Sequence, residues 1–221
     1  RNAFANLTND ENRKFDLPTV KRVITDIESI IGEIIGETTS DSYGKFIIVY
    51  ETFDNYILIV MNGGTDIMTN NIHNNSFRTY KSVNLSSTET SISSIYLNHI
   101  TNLISYLVEN TISDYDIGTV VSNAYEKIST LLDISSNNIN TDYIENKDIE
   151  LYLISGKISV ITSILAYYVS SKIDNLSLLY SKSKVLNSIA ILVNNNTISS
   201  LFDVSDVENI FLKVFELESI V

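Results

Sequence analysis

Residues 42–66 read SYGKFIIVYETFDNYILIVMNGGTD. Two apolar runs in this stretch, Lys45 to Tyr50 and Tyr56 to Met61, are β-branched or aromatic and too short for ordinary helices. The polar break at Thr52 to Asn55 suits a turn, so the spacing predicts an antiparallel hairpin over 45–61. Both runs are nearly continuous in apolar residues, which predicts a sheet covered on both faces. A lone hairpin is marginal in water. Phe77 to Val83, where Phe77, Thr79 and Lys81 alternate with Arg78, Tyr80 and Ser82, is the candidate third strand.

The stretch closes on Gly63-Gly64-Thr65-Asp66. Consecutive backbone N–H groups in a glycine loop can cradle phosphate. A Walker loop also needs a Lys-Ser/Thr pair, and a dinucleotide loop needs a third glycine opening a helix. Neither pattern is present, and Asp66 would repel an anion, so the glycines read as a strand-terminating turn.

Upstream, Asp16-Leu17-Pro18 supplies a helix start, with a capping carboxylate and a proline in the first turn. Apolar residues then recur at steps of three and four from Val20 to Ile35, and Gly36 ends the pattern. A helix over 17–36 is expected to pack the sheet. Downstream the period turns helical. One stripe runs from Ile92 to Val108, and a second from Ile117 to Leu132 follows the break at Asn110 to Asp114. Asp114-Tyr115-Asp116 reads as an acidic helix start, favourable to the helix dipole. Ser135 to Asp142 is the most linker-like segment. Ile149, Leu151 and Leu153 alternate as a strand would, whereas Ile158 to Val169 is helical. Further helices are expected over Leu178 to Val193 and from a capping-box pattern at Ser205-Asp206-Val207-Glu208.

The expected fold is therefore α+β. A small antiparallel sheet around the 45–61 hairpin is packed by the N-terminal helix, and the second half is mostly helical. Residues 1–86 form the α/β portion and 87–221 the helical portion, as one interdependent unit with a weak boundary near 135–142.

Composition narrows the function classes. The 221 residues carry 27 acidic and 15 basic side chains, a formal net charge of −12. That charge repels a phosphate backbone and anionic lipid, so neither nucleic acid nor membrane insertion is expected. The longest uninterrupted apolar runs, Tyr56 to Met61 and Ile164 to Val169, fall far short of the ~20 residues that span a bilayer. A soluble protein is expected, with the cytoplasm favoured. There is no cysteine, which excludes disulfides, thiolate catalysis and zinc–thiolate sites. Charged residues make up only 19%, against about 25% in ordinary domains, and Asn, Ser and Thr supply the missing polarity. The chain begins at Arg1 with no signal-peptide pattern and reads as processed or as a fragment.

Chemistry-bearing residues are sparse. His73 lies in an Asn-rich loop. His99 lies on a helix stripe, where a partly buried histidine with its nitrogen at the rim is the ordinary arrangement. Asp66 with His73 is the best pair for a hydrolase or nucleotide-binding site at the Gly63-Gly64 loop, yet two residues are too few for a catalytic metal site. No cofactor or metal is expected. Lys14, Lys21, Arg22 and Lys45 are the basic residues suited to docking an acidic protein surface.

Residues 17–64, LPTVKRVITDIESIIGEIIGETTSDSYGKFIIVYETFDNYILIVMNGG, place a long helix before a hairpin. This order resembles the middle of a roadblock/longin-type (profilin-like) module. The resemblance implies a non-catalytic α/β module that dimerises through that helix and the neighbouring strand, and that serves small GTPases as regulator or scaffold. It places the candidate surface on the exposed side of 17–36 with strand 45–50. The leading expectation is a non-catalytic interaction, assembly or regulatory module, bound to another protein or to itself as a homo-oligomer. Two further readings are a viral structural or host-interaction protein, and an enzyme using the glycine loop.

Overall fold

The computed structural model describes residues 38–40, 46–48, 56–63, 76–82, 95–111, 116–173 and 176–218. The helix expected over 17–36, the basic residues Lys14, Lys21, Arg22 and Lys45, and the pair Asp66 and His73 lie outside them. The described residues form two strands and six helices, a small antiparallel sheet followed by a mostly helical half. The expected α+β class holds.

Strand β1 (Tyr56–Asn62) pairs antiparallel with β2 (Ser76–Ser82), in a register that sets Ile59 opposite Thr79 and Met61 opposite Phe77. The strand at Tyr56 to Met61 thus forms as expected, but its partner is the candidate third strand. Residues 46–48 belong to no strand, and Ile47 is 82% exposed. A run of apolar side chains signals strand propensity without naming its partner, which is selected by the surface available to bury it. The two-sided burial expected of β1 is also corrected. Ile57, Ile59 and Met61 are buried while Tyr56, Leu58 and Val60 are half-buried, the alternation of a strand with one deeper face. Gly63 directly follows β1 with φ 71°, a left-handed conformation that glycine enters without a Cβ clash. It ends the strand, as the sequence suggests.

At the centre lies α1 (His99–Glu109), whose residues Ile100 to Val108 are all buried. Helices α2 (Ile117–Leu132), α4 (Ile149–Lys172) and α5 (Leu178–Asn194) surround it together with β2. A helix covered all round must satisfy its own polar groups. Thr101 and Ser105 do so by donating their hydroxyls to the carbonyls of Asn98 and Thr101, both at 3.1 Å. The stripe beginning at Ile92 overruns this helix, which starts only at His99. Asn98 sets the start: its Oδ1 accepts from the N–H groups of Ile100 and Thr101 at 2.9 Å, and Thr101 Oγ1 accepts from the Asn98 N–H at 3.0 Å. Because these bonds are buried, Asn98→Ala should lower stability by about 1–2 kcal/mol, whereas Asn98→Ser should retain most of it. Urea denaturation of the two variants measures the difference.

Asp116 caps α2 by accepting from the N–H groups of Gly118 and Thr119 at 2.9 and 3.2 Å. The Thr119 hydroxyl, followed by its N–H, holds this carboxyl below the usual range. The short α3 (Ser136–Ile139) falls in the linker-like segment, yet Ile139 is buried in the same core as α1 and α5. The alternation at Ile149, Leu151 and Leu153 is no strand, since these residues open the 24-residue α4. On the helix Leu151 faces inward and Ile149 and Leu153 outward, so the alternation is not a helical period, and the helical continuation decides.

Helix α5 ends within a residue of its expected limit. The last helix, α6 (Val204–Glu218), encloses the expected capping box. Ser205 lies inside it, and Asp206 Oδ2 accepts instead from the Ser199 and Ser200 N–H groups at 2.9 Å, tying the preceding turn to the helix. Ile210 and Val214 enter the core, with Val207, Phe211 and Phe215 packed against it.

Candidate interaction surface

Three places in the described residues concentrate chemistry or exposed apolar area. The first is a polar cluster between β2 and α1. The Arg78 N–H donates to Asn102 Oδ1 at 3.0 Å, so a helix side chain covers part of the strand's free edge. The Arg78 guanidinium donates to Glu109 Oε2 at 2.7 Å, both side chains being under a tenth exposed, and lies 4.9 Å from the Tyr106 ring centroid. Tyr106 in turn shares a 2.9 Å hydrogen bond with Ser183 on α5. Burial pushes the Glu109 carboxyl up, and Arg78 offsets only part of that. Burial works against the Arg78 charge, but Tyr106 and Glu109 outweigh it and its pKa is raised. Burial, with the Glu109 charge beside it, drives the Tyr80 phenol up to about 12, so it stays protonated at neutral pH. The two charges engage each other and are closed to solvent. Their arrangement joins β2 to α1 and presents no reactive group to a substrate.

The second is an open cleft of about 870 Å³ bounded by α2 and the ends of α1 and α5. Asn110, Asn123, Asn194, Asn195 and Asn196 line its rim. Its titratable side chains are Glu126 and Lys127, and the Lys127 ammonium is held by the Asn194 carbonyl and Oδ1 at 3.3 and 3.0 Å. Asn194 Nδ2 is bound to Leu107 O and Thr111 Oγ1. The amides therefore lock helix ends together and engage the Lys127 ammonium.

The third is the outer face of α4. Leu151, Ile154, Ile158, Leu165, Ala166 and Val169 turn inward. Opposite them stand Ile149, Tyr152, Leu153, Val160, Ile164, Tyr167 and Tyr168, with Ile149 at 72%, Tyr167 at 71% and Ile164 at 62% exposure. At 3.6 residues per turn, Ile149, Leu153, Gly156, Val160, Ile164 and Tyr167 form one straight stripe. A Cβ at Gly156 would meet nothing within 4 Å, so the stripe carries a notch there. Aromatic contacts border it. Tyr143 packs edge-on to Tyr152 at 6.3 Å, and Tyr168 to Phe211 of α6 at 5.1 Å. The Lys157 ammonium sits 5.1 Å from the Phe202 ring centroid.

Sequence reasoning missed this face. Its signal was a helix apolar on every side, hidden because Ser155, Gly156, Lys157, Ser159 and Thr162 interrupt the run. For the same reason α4, which contains an 18-residue window of mean hydropathy 1.5, is long and apolar enough by length and composition to cross a membrane, although no single uninterrupted run is. His99 stands as expected, on the first turn of α1 with its ring 4.8 Å from Phe77 in an edge contact. Burial, with Lys182 nearby, lowers its pKa to about 4. Among the described residues no group of three His, Asp or Glu side chains is placed to hold a metal ion. Compared with known proteins, the chain matches no protein-family model, no curated protein and no solved structure.

Proposed function

We propose that this chain is a non-catalytic protein–protein interaction or assembly module whose working surface is the outer face of α4. One observation carries the reading: seven large apolar side chains stand exposed on a single helix face. Contiguous apolar patches of this extent mark interaction sites, and tyrosine is among the residues enriched in protein interfaces. The inner face of the same helix is packed into the core, which holds the outer face rigid for docking.

Nitration of Tyr152 and Tyr167 tests the reading. Both tyrosines should react readily in dilute protein and become protected at high concentration or in an extract from the native source. Equal reactivity in every setting would sink it. Flotation of the monomeric chain with phosphatidylcholine vesicles, abolished by Val160→Glu, would place the face against lipid and overturn the protein-interaction reading.

A further inference from the structure

We infer that the occupant of the α4 face is a second copy of this chain, laid antiparallel across a twofold axis beside Val160 and Ile161. The inference rests on the assembly reading and names its partner. Area is the first argument. Taking each side chain's exposed fraction of its ordinary accessible surface, the seven apolar residues offer roughly 800 Å², the share each partner gives to a standard stable interface.

Charge is the second argument. The chain carries −12 overall, but the exposed charges of α4 are Glu150, Lys157 and Lys172. The face therefore escapes the acidic field that would hold two copies apart. A twofold interface must be self-complementary: what residue i meets in the partner, the partner's residue i must meet in return. Glu150 and Lys172 satisfy this, because they lie on the same flank of the stripe at equal distances from Ile161. An antiparallel pair brings Glu150 of each copy to Lys172 of the other, at both ends of the contact.

Shape is the third argument. The same symmetry sets Leu153 against Tyr168 and Val160 against its own counterpart at the centre, while the Gly156 notch, one turn away on the stripe, leaves room for the two helices to approach closely. Lys157, drawn aside over Phe202, leaves that centre apolar.

Sedimentation velocity on the full chain from 1 to 100 µM tests the proposal, with far-UV circular dichroism as the check on folding. A dimer is expected. Gly156→Leu should weaken association at least tenfold without lowering the melting temperature, since the notch is empty within the monomer and glycine is a poor helix former. Val160→Glu should give a monomer with an unchanged helical spectrum. Glu150→Lys and Lys172→Glu should each weaken the dimer severalfold, and the double reversal should restore it. Because the chain has no cysteine, Val160→Cys gives a single thiol. Mild oxidation should join it to its counterpart much faster than a thiol introduced by Glu126→Cys on the exposed side of α2.

A dimer indifferent to Gly156→Leu and Val160→Glu would overturn the proposal, as would a strict monomer. In a monomer, the reactivity of the introduced thiol separates two failures. Free reaction at position 160 leaves the α4 face open to a different protein, so only the second copy is overturned. Reaction as slow as a buried thiol means the chain covers its own face, and the assembly reading falls with it.

Discussion

Replacing Glu109 with Leu should destabilise the protein by about 3–5 kcal/mol, the effect of stranding one charge of a buried ion pair. Arg78 would then sit at the junction of β2 and α1 with its 2.7 Å partner removed, under a surface that admits little water. The pair is already incompletely satisfied, for Arg78 Nε and Glu109 Oε1 are buried without a hydrogen-bond partner among the described residues. The double substitution Arg78→Met with Glu109→Leu removes both charges at similar volume and should recover most of the loss. Urea denaturation of the two single variants and the double variant gives the coupling directly. A single Glu109→Leu loss below about 1 kcal/mol would show that the pair is solvated and the junction loose.

Acid should act through His99. Its pKa is lowered to about 4 in the folded chain against 6.5 for the free side chain, so the unfolded state takes up the proton first. The stability held by the neutral imidazole is therefore complete above pH 6.5 and is lost as pH falls toward 4, by up to about 3 kcal/mol. Two features set the sign. The ring is buried, packed against Phe77, and the Lys182 charge nearby disfavours a second cation. The raised pKa of Glu109 works in the opposite direction, because the folded state then binds that proton more readily. The difference between the native chain and His99→Gln isolates the histidine. Urea midpoints of the two should converge from pH 7 to 4.5, and parallel midpoints across that range would refute the assignment.

How much of this was legible in the sequence follows from which interactions are local. The strands at Tyr56 and Phe77, the helices over Ile117 to Leu132 and Leu178 to Val193, and the turn at Gly63 all declare themselves within a few residues. β-branched runs, helical periods and a glycine conformation are properties of neighbouring residues in the chain. The start of α1 was misplaced because apolar residues at Ile92, Ile95 and Tyr96 continue the helical period, while the Asn98 and Thr101 capping box ends it. Both signals were written there, and the cap prevailed because its bonds are buried.

The candidate surface was far less legible. The residues nominated from sequence, Asp66, His73, Lys14, Lys21, Arg22 and Lys45, lie outside the described residues, and the face with the best claim to a partner is on α4. Counting uninterrupted apolar residues concealed how apolar that helix is on its outer side.

The sequence by itself determined the α+β class, most helix positions and the overall acidity, because periodicity and charge are summed along the chain. Tertiary structure alone decided which strand pairs with β1, that Asn102 covers the edge of β2, and that Arg78 meets Glu109. It also decided which side of α4 the core claims. Each of these is a choice among distant surfaces of similar hydrophobicity, and burial is settled only when every element competes for the same core.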